Sequence, residues 1–218
     1  MSKHRVSRLS LVDTALNYVR YGLLVIALAF KSKRPRKGSH GYKDATTDAK
    51  QIRAWWGQDP QCNIGIVTGN DLVVMDFDGQ CGKDSYVKLV KLLGAPPPTA
   101  TVLTPGKGGG THHYYRTGGR VLPSHVGIAA GVDVRGKGGH AVAPPCPHPD
   151  GGNYEFAKGL SFDEIGIAEL PQNWVDFLDL GGSSVRTGYY SNRQSPKGNT
   201  TVTLPIDGRE VTIAVSMR

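Results

Sequence analysis

At 218 residues the chain is long enough for one sizeable core and a short appendage. Hydrophobic residues make up 39% and charged residues 20%, the balance of an ordinary soluble globular protein. A formal charge of +8 points to a polyanionic partner such as nucleic acid or nucleotide, and three scattered cysteines (Cys62, Cys81, Cys146) exclude a disulfide framework or a CxxC zinc site.

In chain order, "SLVDTALNYVRYG" repeats Leu11, Ala15, Leu16 and Val19 at helical spacing, with Ser10 placed to cap the start and Gly22 the end. "LLVIALAF" (23–30) reads as a buried strand too short to span a bilayer, and with no signal peptide before it a soluble, cytoplasmic protein is expected. "FKSKRPRKGSHG" follows, a loop carrying Lys31, Lys33, Arg34, Arg36 and Lys37. It is either a solvated loop or one that follows a phosphate backbone. A second helix spans "TTDAKQIRAWWGQ", capped by Thr47 or Asp48, with Ile52, Trp55 and Trp56 on its apolar side. "NIGIVTG" (63–69) and "LVVMDFD" (72–78) are strands, and the short turn Gly69-Asn70-Asp71 predicts that they form an antiparallel hairpin. "KDSYVKLVKLLG" is a helix ended by Gly94. Strands then cluster in "TATVLTP", "THHYYR", "GVDVRG" and "HAVAPP", before a closing helix in "PQNWVDFLDL" (171–180). Helices early and strands late predict an α+β domain, with a mixed or antiparallel sheet flanked by helices, over residues 1–180. Residues 181–218 read as a linker and a β-hairpin turning at Asp207-Gly208, the possible start of a further module.

Three stretches carry chemistry. Asp76 and Asp78 end an apolar strand, and at i and i+2 they leave the same face about 7 Å apart. Two like charges so placed call for a partner, of which a divalent cation is the most economical. "TPGKGGGTHHYYR" (104–116) is a glycine turn feeding a strand, able to present backbone N–H groups to an anion, with Lys107 in the turn and Arg116 at the strand end as further candidates for binding nucleotide. It is no Walker A loop, since neither Ser/Thr nor a helix follows the lysine. His112 and His113 must point to opposite faces, so one of them faces the site. In "GVDVRGKGGHAVAPP" (131–145), Asp133 and Arg135 share a face, with Lys137 in the next turn. This is either a salt-bridged hairpin or a third acid and two cations beside a triphosphate.

The order "KDATTDAKQIRAWW", "NIGIVTGN", "MDFDG", "GGGTHHYYR", "GVDVRGKGGHAVAPP" resembles the bifunctional primase/polymerase domain of the archaeo-eukaryotic primase superfamily, found in phage and plasmid replication proteins, over roughly residues 12–157. The resemblance implies an RRM-like palm and template-directed nucleotidyl transfer that synthesises and extends primers on single-stranded DNA from (d)NTPs. It implies Asp76, Asp78 and Asp133 as catalytic ligands of Mg2+ or Mn2+ in a two-metal site, and His112, Arg135 and Lys137 at the triphosphate. Family members commonly carry Ser at Cys146 and Tyr or Phe at His140. Related domains are often fused to a helicase, which makes a replicative helicase an expected partner. Lys31, Lys33, Arg34, Arg36 and Lys37 are candidates for contact with template or primer.

Two other functions fit the same residues. Paired acids with a histidine serve a metal-dependent nuclease or phosphohydrolase equally well. A non-catalytic single-strand-binding module would bind in a salt-sensitive, metal-independent way. Zinc is not expected, because Cys146 and His148 have no second pair of ligands near them in the chain.

Overall fold

The computed structural model describes residues 9–106 and 108–182, and the backbone of 200–206 and 209–215. Among the described residues the apolar stretches become eleven strands and four α-helices. β1 (Val25–Leu28), β2 (Asn63–Val67) and β8 (His140–Val142) form one antiparallel sheet in the order β1-β2-β8. A second sheet has the order β6-β7-β3-β5-β4-β9, built from β3 (Leu72–Asp78), β4 (Thr101–Thr104), β5 (Gly110–Arg116), β6 (His125–Ala129), β7 (Val132–Arg135) and β9 (Glu155–Phe156). Its pairings are all antiparallel, so the fold is α+β. β10 (Thr200–Ile206) and β11 (Arg209–Val215) pair with each other. The proposed turn at Asp207-Gly208, the linker 183–199, the basic residues before Leu9, and Lys107 lie outside the described residues.

Local chemistry sets the helix ends. Ser10 caps α1 (Leu11–Arg20) by accepting from the Asp13 N–H, and Asp48 caps α2 (Ala49–Gln58) by accepting from the Lys50 N–H. α3 (Gly79–Leu93) starts directly after β3, earlier than expected from Lys83. The early start is a packing effect. A Cβ on Gly82 would stand 2.7 Å from the Gly131 carbonyl oxygen and from the Phe77 carbonyl carbon, so only glycine lets the helix lie this close. α4 (Gln172–Asp179) follows Pro171. No helix among the described residues is long and apolar enough to cross a membrane.

The expected hairpin between residues 63–69 and 72–78 does not form. Gly69 and Leu72 exchange two backbone hydrogen bonds of 2.8 and 2.9 Å, but the strands then part into different sheets. A strand has two edges; those of β2 are taken by β1 and β8, and those of β3 by β5 and β7.

Period 2 divides the large sheet into two faces. Val73, Met75, Phe77, Tyr115, Val132 and Val134 pack on one side with Leu89 of α3 and Trp174, Val175 and Leu178 of α4. Leu72, Val74, Val102 and Tyr114 pack on the other side, in a core shared with β1, β2, α1 and α2. Apolar residues on that second face of β3 stop at Val74, and Asp76 and Asp78 occupy its end.

Candidate active site

The register of the large sheet assembles the site. Asp76 on β3 lies opposite His112 on β5 and opposite Asp133 on β7, so three polar side chains stand abreast on one face, each about 5 Å from the next strand. Asp78 lies opposite Gly110, where a Cβ would stand 2.6 Å from the Phe77 carbonyl oxygen and 3.3 Å from Asp78 Oδ1. Glycine there keeps the space beside Asp78 open. A polar cavity of about 180 Å3 results, lined by Asp76, Asp78, His112, Thr104, Gly106 and Gly109 together with Lys33, His148 and Asp150.

Arg135 bridges the acids of two strands, with one terminal nitrogen 3.3 Å from Asp76 Oδ2 and 3.0 Å from Asp133 Oδ2. Asp133 Oδ1 accepts from the Gly127 N–H at 2.8 Å, so both of its oxygens are engaged. Asp76 is less well served. It is 6% exposed, and His112 Nε2 lies 3.4 Å from Oδ1, long for a hydrogen bond. Among the described residues, Asp76 Oδ1 and His112 Nδ1 are buried without a hydrogen-bond partner. Each such atom costs on the order of 1–3 kcal/mol, and an outside group that satisfied it would recover that.

The two carboxyls at the cavity differ in electrostatics. Burial alone would raise Asp76, but the His112 ring and the Arg135 guanidinium outweigh it and hold the carboxyl below its ordinary range. Asp78 is pushed up, first by burial and then by the negative charge of Asp76. This is the like-charge conflict expected of acids at i and i+2; His112 and Arg135 relieve it at Asp76, while Lys33 and His112 offset only part of it at Asp78. Among the described residues no three His, Cys, Asp or Glu side chains converge as a ready-made metal cage. Two carboxylates, one with an unsatisfied buried oxygen, nonetheless suit a hard divalent cation that takes its other ligands from water and phosphate.

The other sequence candidates are distributed unevenly. His112 faces the cavity, whereas His113 turns to the opposite side, where its ring lies 5.0 Å from Phe77 and 5.3 Å from Tyr86. Arg116 is not brought to the cavity. It sits at the far end of β5, four residues or about 13 Å from His112, and donates to the Tyr21 carbonyl at 3.0 Å. Lys137 is also elsewhere: it is exposed, its backbone N–H donates to the Leu122 carbonyl, and its Cα lies against Gly69. Within the basic loop, Lys33 lines the cavity, while Arg36 stacks 5.9 Å from Trp55 and donates to Gln58. Lys31, Arg34 and Lys37 are exposed, with the Lys31 ammonium over the Phe30 ring. His140 Nε2 meets the Lys33 carbonyl at 2.8 Å and so helps fix the loop. Cys146 and His148 part company: Cys146 is buried in the core with its Sγ against the Ile64 N–H, and His148 faces the cavity. Sequence reasoning did not place His148, Asp150 or Thr104 at the site, since nothing in their spacing ties them to β3.

No match to the chain is found among curated proteins. Residues 15–173, which hold every side chain of the cavity, match the family described as bifunctional DNA primase/polymerase, N-terminal. That span is well over half of the 218 residues, and the α+β architecture agrees with it. The chain belongs to the bifunctional DNA primase/polymerase N-terminal domain family, whose members are enzymes of the nucleotidyltransferase type acting on nucleotides and DNA.

Proposed function

We propose that the chain carries out template-directed nucleotidyl transfer, synthesising and extending primers on single-stranded DNA from (d)NTPs. The observation that carries this reading is the placement of Asp76, Asp78 and His112 around one polar cavity at the end of the central strand, inside the matched family span. Asp76 and Asp78 are the residues that would hold Mg2+ or Mn2+, in a one- or two-ion arrangement. A divalent cation there supplies activation of the attacking 3′-hydroxyl and neutralisation of the departing pyrophosphate.

The remaining roles belong to the chain's own side chains. His112 stands beside Asp76 and donates to a phosphate oxygen of the incoming nucleotide. Arg135 adds fixed positive charge next to the carboxylates. Asp133, with both oxygens engaged by protein donors, acts by holding Arg135 against Asp76. Lys33 enters the cavity from the basic loop, and the exposed Arg34 and Lys37 beside it contact phosphates of the template or primer.

The test is primer synthesis and extension on single-stranded DNA with Mg2+ or Mn2+, following incorporated nucleotide and released pyrophosphate. Asp76→Ala combined with Asp78→Ala is expected to lower incorporation by at least about a hundredfold. A double variant that polymerises as well as the parent sinks the proposal.

A further inference from the structure

The cavity has a second wall for which nucleotidyl transfer has so far required nothing. His148 stands on it, on the segment between β8 and β9, with its side chain 7% exposed. Its ring lies 5.4 Å from Tyr154, and Tyr154 lies 5.9 Å from His112, so one buried tyrosine spaces the two histidines. The Asp150 backbone N–H donates to His148 Nδ1 at 3.1 Å, and the Asp150 carboxylate lies 3.8 Å from the same nitrogen. A ring nitrogen that accepts a hydrogen bond carries no proton, so in the neutral ring the proton sits on Nε2. No described residue bonds Nε2. Glycine at position 106 leaves it uncovered, since a Cβ there would stand 3.6 Å from Cε1 and 3.9 Å from Nε2.

The wall therefore presents one directed N–H and one flexible ammonium, from Lys33, with the solvent-exposed Asp150 carboxylate on the Nδ1 side of the ring, into a cavity whose other wall carries two carboxylates. A polyanion cannot lie against carboxylates on every side; its far end needs donors. A fixed neutral donor supplies direction and a lysine supplies charge, a pairing suited to terminal phosphate oxygens.

We propose that His148 is a further substrate-binding residue, donating from Nε2 to the terminal phosphates of the incoming nucleotide, in a tautomer held by the Asp150 backbone. The inference rests on the nucleotide reading above and adds to it the residue that receives the triphosphate tail.

Inorganic tripolyphosphate, which has the tail without base or sugar, is the direct probe. Calorimetry with Mg2+ and primer-extension kinetics are compared for the parent, His148→Ala and His148→Gln. Glutamine places an amide N–H near the position of Nε2. His148→Ala is expected to weaken tripolyphosphate and raise the nucleotide KM by about tenfold or more, with kcat changed much less, and His148→Gln to restore most of the loss. Nitrogen-15 spectra of the histidine rings give a readout that needs no variant: His148 is protonated at Nε2, and that resonance moves when tripolyphosphate is added. Unchanged affinity in His148→Ala, or an Nε2 resonance that tripolyphosphate does not move, overturns the inference while leaving the role of Asp76 and Asp78 standing. A parent chain that binds neither nucleotide nor tripolyphosphate overturns both.

Discussion

His112 and His113 are neighbours in the chain and lie on opposite faces of one sheet, in surroundings that differ in kind. On the His113 face, α3 and α4 cover Val73, Met75 and Phe77, and the histidine packs against Phe77 and Tyr86. On the His112 face the apolar cover ends at Val74, leaving a cavity beside which Asp76 Oδ1 and His112 Nδ1 have no partner among the described residues. The first face is closed by apolar packing that the chain supplies, with His125 Nε2 near its edge the one side-chain atom there that no described residue meets. The second is left open, with buried polar atoms that no described residue meets. Stability is therefore invested on one side and binding on the other, as expected where a site is held under strain by a rigid scaffold.

The largest effect that separates the faces belongs to Trp174 on α4, which is fully buried with its Nε1–H donating to the Gly94 carbonyl at 3.0 Å. Trp174→Ala is expected to destabilise the fold by about 3–5 kcal/mol in urea unfolding. Nucleotide affinity, measured under conditions where the variant is still folded, is expected to stay within about twofold. A tenfold loss of affinity would mean that packing under the sheet sets the geometry above it, and the two faces could no longer be treated separately.

His113 gives the next effect, through pH. Burial, and secondarily the nearby His112, lower its pKa from 6.5 to about 4. The unfolded chain thus takes up this proton before the folded one does. Stability is unaffected above the unfolded value, and falls as pH drops from about 6.5 towards 4. Allowing for the partial exposure of the ring, the loss is about 2 kcal/mol. His113→Phe keeps an aromatic ring between Phe77 and Tyr86 and is expected to remove that part of the acid loss. Urea midpoints at pH 7 and pH 4.5 for parent and variant check it, and identical pH slopes would show that His113 is not sealed.

Much of this geometry was legible in the sequence because it follows from period 2. The shared face of Asp76 and Asp78, the divergence of His112 and His113, and the shared face of Asp133 and Arg135 all come from alternation along single strands. Whatever depended on strand order was not legible. The turn at Gly69-Asn70-Asp71 has the chemistry of a hairpin, yet β2 and β3 part because each already has two partners. Arg116 shares the face of His112 but lies too far along β5 to reach the cavity, a matter of length rather than pattern. His148 and Asp150 arrive by an irregular segment with no periodicity to read. The helix start at Gly79 was hidden for a related reason, since the low propensity of Gly79 and Gly82 is overridden by contact with Gly131.

The smallest effect is the sharpest test of the open face, because its sign is opposite to that of an ordinary substitution. Asp78 lies at the N-terminus of α3 but makes no capping hydrogen bond with its side chain. Burial and the charge of Asp76 raise its pKa, so ionising it opposes folding, and at neutral pH the whole of that penalty is present. Asp78→Asn removes the charge and forfeits only the modest attraction of a carboxylate to the helix terminus. Because Asp78 is only partly desolvated and still reaches solvent, the net gain in stability without metal is expected to be under about 1 kcal/mol, alongside a collapse in nucleotide incorporation. Saturating Mg2+ should reverse the order, raising the melting temperature of the parent through preferential binding to the folded state and leaving the variant almost unmoved. If Asp78→Asn melts lower than the parent in the absence of metal, the carboxylate is serving the helix rather than waiting for a cation. The contrast between a closed face and an open one would then have to be drawn at Asp76 alone.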